Sequence, residues 1–178
     1  MAVNPSFTIT VRAATPADSG AIAGIYNQGI EDRIGTFETR LRTSADIEKW
    51  FGGRYPIVVV EAVTENADDK VAEGPREVIA FASTSTYRPR ECYAGIAEVS
   101  AYVAREWRGR GAGRAAMNAL FDAARAAGFH KLVSRIFPEN TASLRMTGAL
   151  GFREVGVYRR HGQLDGAWRD VVIVEKLL

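Results

Sequence analysis

Residues 8–12, Thr-Ile-Thr-Val-Arg, alternate polar and apolar side chains, the period-two pattern of an edge strand with one wet face. A helix start follows. Thr15 is placed as an N-cap, Pro16 takes the first helical position, and Asp18 stands three residues past the cap. Ile22, Ile25, Tyr26 and Ile30 then recur at helical spacing and predict a helix running to about Gly29. Thr43 and Asp46 repeat the capping arrangement before a short helix ending near Phe51-Gly52-Gly53. Residues 31–41 between them show no clean period and read as a loop.

Residues 57–63 are rich in β-branched side chains and predict a central strand. The acidic, polar stretch 64–76, broken by Gly74-Pro75, reads as an exposed hairpin loop, and 77–86 as the returning strand. In the strand 96–103, Ala97, Val99, Ala101 and Val103 share one face, and Glu98, Ser100 and Tyr102 the other. After a segment rich in glycine and arginine, Met117, Leu120, Phe121 and Ala124 mark a helix over 115–127, closed by Gly128. A strand at 132–137, a turn at Pro138-Glu139-Asn140, and a helix at 141–150 stopped by Gly151 come next. Residues 152–158 and 170–177 predict a closing antiparallel pair. No internal repeat or low-complexity segment interrupts this order. The pattern is that of one α/β (α+β) domain spanning 1–178, with a mixed, mostly antiparallel twisted sheet and helices on both faces.

Composition narrows the class. With 178 residues, 47% hydrophobic and 25% charged, the chain has apolar material for one core, which excludes a disordered chain. Its longest apolar runs fall far short of the ~20 residues of a spanning helix, and residues 1–5 lack a signal pattern. A single cysteine, Cys92, forms no internal disulfide, so a cytoplasmic location is expected. The net charge of +2 does not describe a nucleic-acid binder.

Charge is concentrated instead. Residues 105–114 hold four arginines against one glutamate, among the densest glycines of the chain. Arg108-Gly109-Arg110-Gly111-Ala112-Gly113-Arg114 joins a strand to a helix, so backbone amides there face outward at the positive end of a helix dipole. Glycines let a ligand approach the main chain, and Arg108, Arg110 and Arg114 add charge-assisted donors suited to a diphosphate. A solvated basic face is the plain alternative. Gly111 to Ala116 also matches a dinucleotide fingerprint loosely, but that ligand needs an acidic residue at the end of the next strand, where Arg135 stands.

The segment Arg108-Gly109-Arg110-Gly111-Ala112-Gly113 resembles the pyrophosphate motif Arg/Gln-x-x-Gly-x-Gly/Ala of the GNAT acetyltransferases. Asn140 and Ser143, followed by Leu150-Gly151-Phe152, resemble that superfamily's second half. Ile25-Tyr26-Asn27, Thr86-Tyr87-Arg88-Pro89-Arg90, Glu98-Val99-Ser100 with Tyr102-Val103, and Trp168-Arg169-Asp170-Val171 narrow the likeness to the phosphinothricin acetyltransferase group and the related arsinothricin-acetylating enzymes. The likeness runs from about Ile9 to Leu177 in the family's order.

It implies acetyl-CoA as co-substrate, no metal, and direct transfer to the α-amine of a small glutamate-like amino acid, phosphinothricin, arsinothricin or methionine sulfoximine among them. Such acetylation gives resistance by detoxification. It also implies a homodimer, while the charge balance and short apolar runs already argue against a nucleic-acid or membrane partner. Glu98, which interrupts an apolar strand on the face opposite Ala97 and Val99, matches the family's general base; an edge glutamate paired with an arginine is the bland alternative. The resemblance places a backbone amide near Tyr102 or Val103 as the donor to the acetyl carbonyl, and Asn140 and Ser143 along the pantetheine arm. It places Arg88, Arg90 and Tyr93 at the substrate's acidic end, with Phe37 and Glu38 closing the other side. Thr147 departs from the pattern, because many relatives carry a tyrosine or histidine there as general acid. An alcohol relays a proton through water at best, and a thiol is acidic enough for the thiolate to leave unprotonated. Cys92 is read as a bystander, His130 as structural, and His161 as a pocket wall or subunit contact. The alternatives are an acetyltransferase for another amine, such as a protein N-terminus or ordinary amino acid, and a non-catalytic CoA- or nucleic-acid-binding module.

Overall fold

Val58 and Val60 face one side of their strand and Val59 the other, and all three are buried. A strand covered on both faces belongs inside a layered α/β arrangement. The computed structural model describes residues 7–64 and 76–178 and shows that arrangement. Among these residues one seven-stranded sheet forms from β1 (Phe7–Ala13), β2 (Ile57–Thr64), β3 (Arg76–Thr86), β4 (Ile96–Val103), β5 (Lys131–Ile136), β6 (Arg153–Leu164) and β7 (Ala167–Leu177). The spatial order is β1-β2-β3-β4-β5-β7-β6, and neighbours are antiparallel except β4 beside β5. The hairpin loop expected over 64–76 lies, apart from its two end residues, outside the described residues.

Helices cover both faces. Ile22 and Ile25 of α1 (Ser19–Glu31) and Ile47 of α2 (Ser44–Glu48) close over Ile57, Val59 and Phe81. On the opposite face, Ala116, Met117, Leu120 and Ala124 of α3 (Ala112–Ala126) pack on Val58, Val60 and Ile79. Leu144 and Leu150, in and just after α4 (Thr141–Ala149), join the same core. A third cluster, Val133, Phe137, Leu164, Val171 and Ile173, lies where β5 meets β7. Among the described residues no helix is long and apolar enough to cross a membrane.

Several element ends differ from the sequence expectation. Pro16–Asp18 forms a 3-10 turn closed by a Thr15–Asp18 capping box, and the α-helix proper starts at Ser19. The helix α3 begins three residues before the expected start at Ala115, because Gly111 takes φ +90° and caps it. The final hairpin is longer than 152–158 and 170–177. Its polar run Arg159-Arg160-His161 hides the strand, because the register breaks between Tyr158 and Gly162. At that break Arg160 takes φ +50° and its N–H donates to Asp170 Oδ1 at 2.7 Å.

The feature that positions the site is a fork. β4 and β5 pair only at Ile96↔Lys131, Ala97↔Leu132 and Glu98↔Val133. Beyond that, β4 stays with β3 to Val103 while β5 stays with β7 to Ile136. Two adjacent strands therefore separate in the middle of the sheet.

Candidate active site

The fork opens into a cleft of about 990 Å³. β4 from Glu98 onward lines one side and β5 from Ser134 the other, and the glycine turn before α3, the α4 helix and residues 34–39 complete the lining. Register places Glu98 beside Val133, and Arg135, two residues on, shares their face. Ala97 and Val99, of opposite parity, are buried beneath α3. Glu98 keeps 23% of its side-chain surface exposed. It accepts a hydrogen bond from Arg135 Nε at 2.9 Å on Oε1, and Oε2 accepts from Arg135 Nη2. Glu98 is thus both a cleft carboxylate and an arginine-paired one.

Two glycines shape the turn. Gly109 has φ +76° and Gly111 φ +90°, and a Cβ built on either would meet nothing within 4 Å. Both positions need glycine for their backbone angle, and both leave open space for a ligand to reach the main chain. Gly113 is different. A Cβ there would lie 3.1 Å from Met146 Sδ and 3.3 Å from Val103 Cγ2, so the first turn of α3 is seated on β4 and α4. Ala112 is buried in the core.

The three arginines of the turn divide. Arg108 lines the cleft, donates from Nε to the Val103 carbonyl at 3.1 Å, and ion-pairs with Asp32 at 2.7 Å. Burial works to raise the Asp32 pKa, but the guanidiniums of Arg105 and Arg108 outweigh it and hold the carboxyl below its ordinary value. Arg114 also lines the cleft. Arg110 does not: its guanidinium lies 5.2 Å from the Trp107 ring centroid and 5.8 Å from that of Phe7. Unhindered amides at a helix N-terminus with two guanidiniums alongside fit a diphosphate, the anchor that coenzyme A would present.

Behind the turn, Tyr102 holds the end of β4. Its ring stacks on Phe81 at 5.4 Å and meets Tyr26 edge-on at 4.8 Å, and its hydroxyl donates to the Gly35 carbonyl at 3.2 Å. Burial pushes this phenol above its ordinary pKa, so it remains a donor. Asn140 caps α4, its Oδ1 accepting from the Ser143 N–H at 3.1 Å, while its Nδ2 donates to the Ile34 carbonyl at 3.1 Å. One side chain thereby ties the 34–39 loop to α4. Thr147 is buried in the lining, its Oγ1 within 2.9 Å of the Ser143 carbonyl and 3.1 Å of the Leu144 carbonyl, so its one proton is directed at backbone. Phe37 meets Phe137 edge-on at 4.8 Å.

The remaining candidates stand apart. Arg88, Arg90 and Tyr93 lie on the β3–β4 connection outside the cleft lining. Arg88 sits 5.5 Å from the Tyr87 ring and Tyr93 meets that ring at 5.9 Å, while Tyr87 packs on the cluster around Val133 and Phe137. Glu38, in the lining, is ion-paired with Arg42. Cys92 is exposed, the His130 N–H donates to the Gly95 carbonyl, and His161 lies against Tyr158 at 5.2 Å. Sequence reasoning passed over Arg135, weighing it only as a misfit for a dinucleotide, and did not name Asp32. No local signal could have found the first, because the register that sets Glu98 beside Val133 is a property of the folded sheet.

Residues 32–152 match the Acetyltransferase (GNAT) family. The chain is 31% identical over 170 residues to the L-methionine sulfoximine/L-methionine sulfone acetyltransferase of Pseudomonas paraeruginosa, covering 93% of this chain and 92% of the relative. It is also 31% identical over 175 residues to the phosphinothricin N-acetyltransferase of Streptomyces coelicolor, covering 96% of each. A solved GNAT superfamily phosphinothricin acetyltransferase from Sinorhizobium meliloti, in complex with AcCoA, matches with a TM-score of 0.80 and 29% identity, covering 96% of this chain and 89% of that one. A glycine turn fit for a diphosphate, a forked sheet and a family match across most of the chain converge: this protein belongs to the GNAT family and is an acetyl-CoA-dependent N-acetyltransferase.

Proposed function

We propose that the protein acetylates the α-amino group of a small glutamate-like amino acid of the phosphinothricin, arsinothricin or methionine sulfoximine type. The observation that carries this reading is the placement of Glu98 at the mouth of the fork, in the same cleft as the glycine turn. The names of the phosphinothricin and methionine sulfoximine relatives support the substrate class.

Acetyl-CoA, when bound, supplies an acyl carbon activated as a thioester. The turn from Arg108 to Arg114 holds its diphosphate, and Ser143 and Asn140 border the arm that leads into the fork. Glu98 takes one proton from the substrate ammonium, directly or through a water. The freed nitrogen lone pair forms the C–N bond as the C–S bond breaks, the sulfur leaves as a thiolate, and the nitrogen sheds its second proton to solvent. A main-chain N–H near Tyr102 or Val103 donates to the acetyl oxygen as its charge grows. Thr147 contributes at most a water-relayed proton, its hydroxyl being committed to the Ser143 carbonyl. Phe37 forms an apolar wall, and Arg88, Arg90 and Tyr93 supply a rim toward the substrate's acidic end. Acetylation removes the ammonium charge of such an amino acid, which is how a toxic one loses its recognition.

Free-thiol release from acetyl-CoA with phosphinothricin, methionine sulfoximine, methionine, spermidine and an N-terminal peptide tests the reading. The first two should exceed spermidine and the peptide in kcat/KM by at least about tenfold. Preference for either of those, or no heat of binding with acetyl-CoA, overturns it.

A further inference from the structure

Resting on that reading, we propose that Arg135 is the anchor for the substrate's α-carboxylate, and that Glu98 and Arg135 together form a receptor for a zwitterion. Glu98 and Arg135 lie on one face at the fork, on different strands, and both line the cleft. Their pairing uses the Nε–Nη2 edge of the guanidinium. A guanidinium carries five N–H donors in a planar fork. Among the described residues no acceptor meets Nη1, so the Nη1–Nη2 end retains donors for a second, bidentate carboxylate. With 46% of its side chain exposed, Arg135 is reachable.

The other charges of the lining are committed elsewhere. Asp32 is held by Arg105 and Arg108, Glu38 by Arg42, and Arg114 belongs to the diphosphate turn. Arg135 is therefore the guanidinium adjoining the proposed base. An α-amino acid carries its ammonium and carboxylate on one carbon. Laid beside the pair, its ammonium meets Glu98 while its carboxylate meets Arg135, and four charges alternate in sign. A plain amine brings only a cation next to a cation, and that repulsion is uncompensated. The pair thus selects for the carboxylate at the carbon bearing the reacting nitrogen, whatever the side chain. The bidentate geometry also fixes the α-carbon, which orients the nitrogen.

The test compares kcat/KM for methionine sulfoximine and phosphinothricin with kcat/KM for their α-carboxamides. Each pair shares side chain and amine and differs only in the carboxylate. It is run in wild type, Arg135→Gln and Arg135→Lys, with a thermal melt of each. Because only the change in the acid-to-amide ratio is read, the intrinsic basicity of the amines cancels. Arg135→Gln should lower the ratio at least tenfold, and Arg135→Lys should restore part of it. A residue that merely supported the fold would depress acid and amide alike, and an unchanged ratio in Arg135→Gln overturns the proposal. Should that variant fail to fold, Arg135→Lys decides: an acid-to-amide ratio unchanged from wild type there also overturns it. Wild type turning over none of the four compounds removes the proposed function, and this inference with it; turnover with an unshifted ratio removes the inference alone.

Discussion

A Cβ on Gly29 would stand 2.7 Å from both Cδ1 and Cε1 of Tyr102, so the tyrosine at the end of β4 packs against bare backbone of α1. Gly29→Ala gains ~0.5–1 kcal/mol of helix propensity but forces the ring or the helix to move. Overpacking of this kind costs about 1–3 kcal/mol, so the clash wins. Because the Tyr102 hydroxyl also holds the Gly35 carbonyl of the cleft loop, the variant should raise KM for the amine as well. Urea denaturation and acceptor titration read the two effects.

Glu98→Gln keeps the shape of the side chain and removes its ability to take a proton. It should lower kcat by about 10²–10⁴. Acetyl-CoA affinity, measured by calorimetry, should stay within about twofold. Thr147→Val should lower kcat by less than about tenfold, since the hydroxyl it removes points at the Ser143 and Leu144 carbonyls. A larger loss there would make Thr147 a working proton relay.

Gly111 and Gly148 form a matched pair of tests. Neither has an atom within 4 Å of a built Cβ, but only Gly111 has a positive φ, +90°. Gly111→Ala should cost about 1–2 kcal/mol of backbone strain and weaken acetyl-CoA binding by about tenfold. Gly148→Ala, inside α4, should stabilise by ~0.5–1 kcal/mol and leave binding unaltered. Melting temperature and calorimetry on both variants check the contrast.

Acid sensitivity should come in part from the far edge of the sheet. The hydrogen bond from Arg12, with help from the Thr15 N–H, holds the buried Asp18 carboxyl at about 2 against an ordinary 3.8. A value depressed on folding contributes stability above pH 3.8 and loses it as pH falls toward 2. Asp18→Asn should therefore cost about 1–2 kcal/mol at pH 7, and its gap from wild type should narrow below pH 3. Urea melts at pH 7, 4 and 2.5 provide the curve.

What could be read from the chain was local. Alternation in 96–103 put Glu98 opposite Ala97 and Val99, and the structure keeps that division, because period two is a property of any strand. The capping pairs Thr15–Asp18 and Thr43–Asp46 likewise hold, each being a contact across three residues. Tertiary placement was illegible. All three turn arginines looked alike in sequence, yet Arg110 is drawn off to Trp107 and Phe7, the second a ring more than a hundred positions away. Arg135 meets Glu98 only because β4 and β5 run parallel in one register, and no local pattern states which strands will be neighbours. The hairpin end at 159–164 failed differently. Its backbone is strand, but the bulge at Arg160 destroys the alternation by which strands are recognised.

The early end of the β4–β5 ladder has a thermodynamic corollary. A sheet interrupted in its interior forgoes cohesion that a guest lying in the gap can restore, so loading the protein should tighten it far beyond the contacted side chains. Any species that binds the native state and not the unfolded chain raises the denaturation midpoint with the logarithm of its concentration. The heat tolerance of this molecule should accordingly track how much acyl carrier surrounds it, and a simple dye melt would report the filling of the gap without any chemistry taking place.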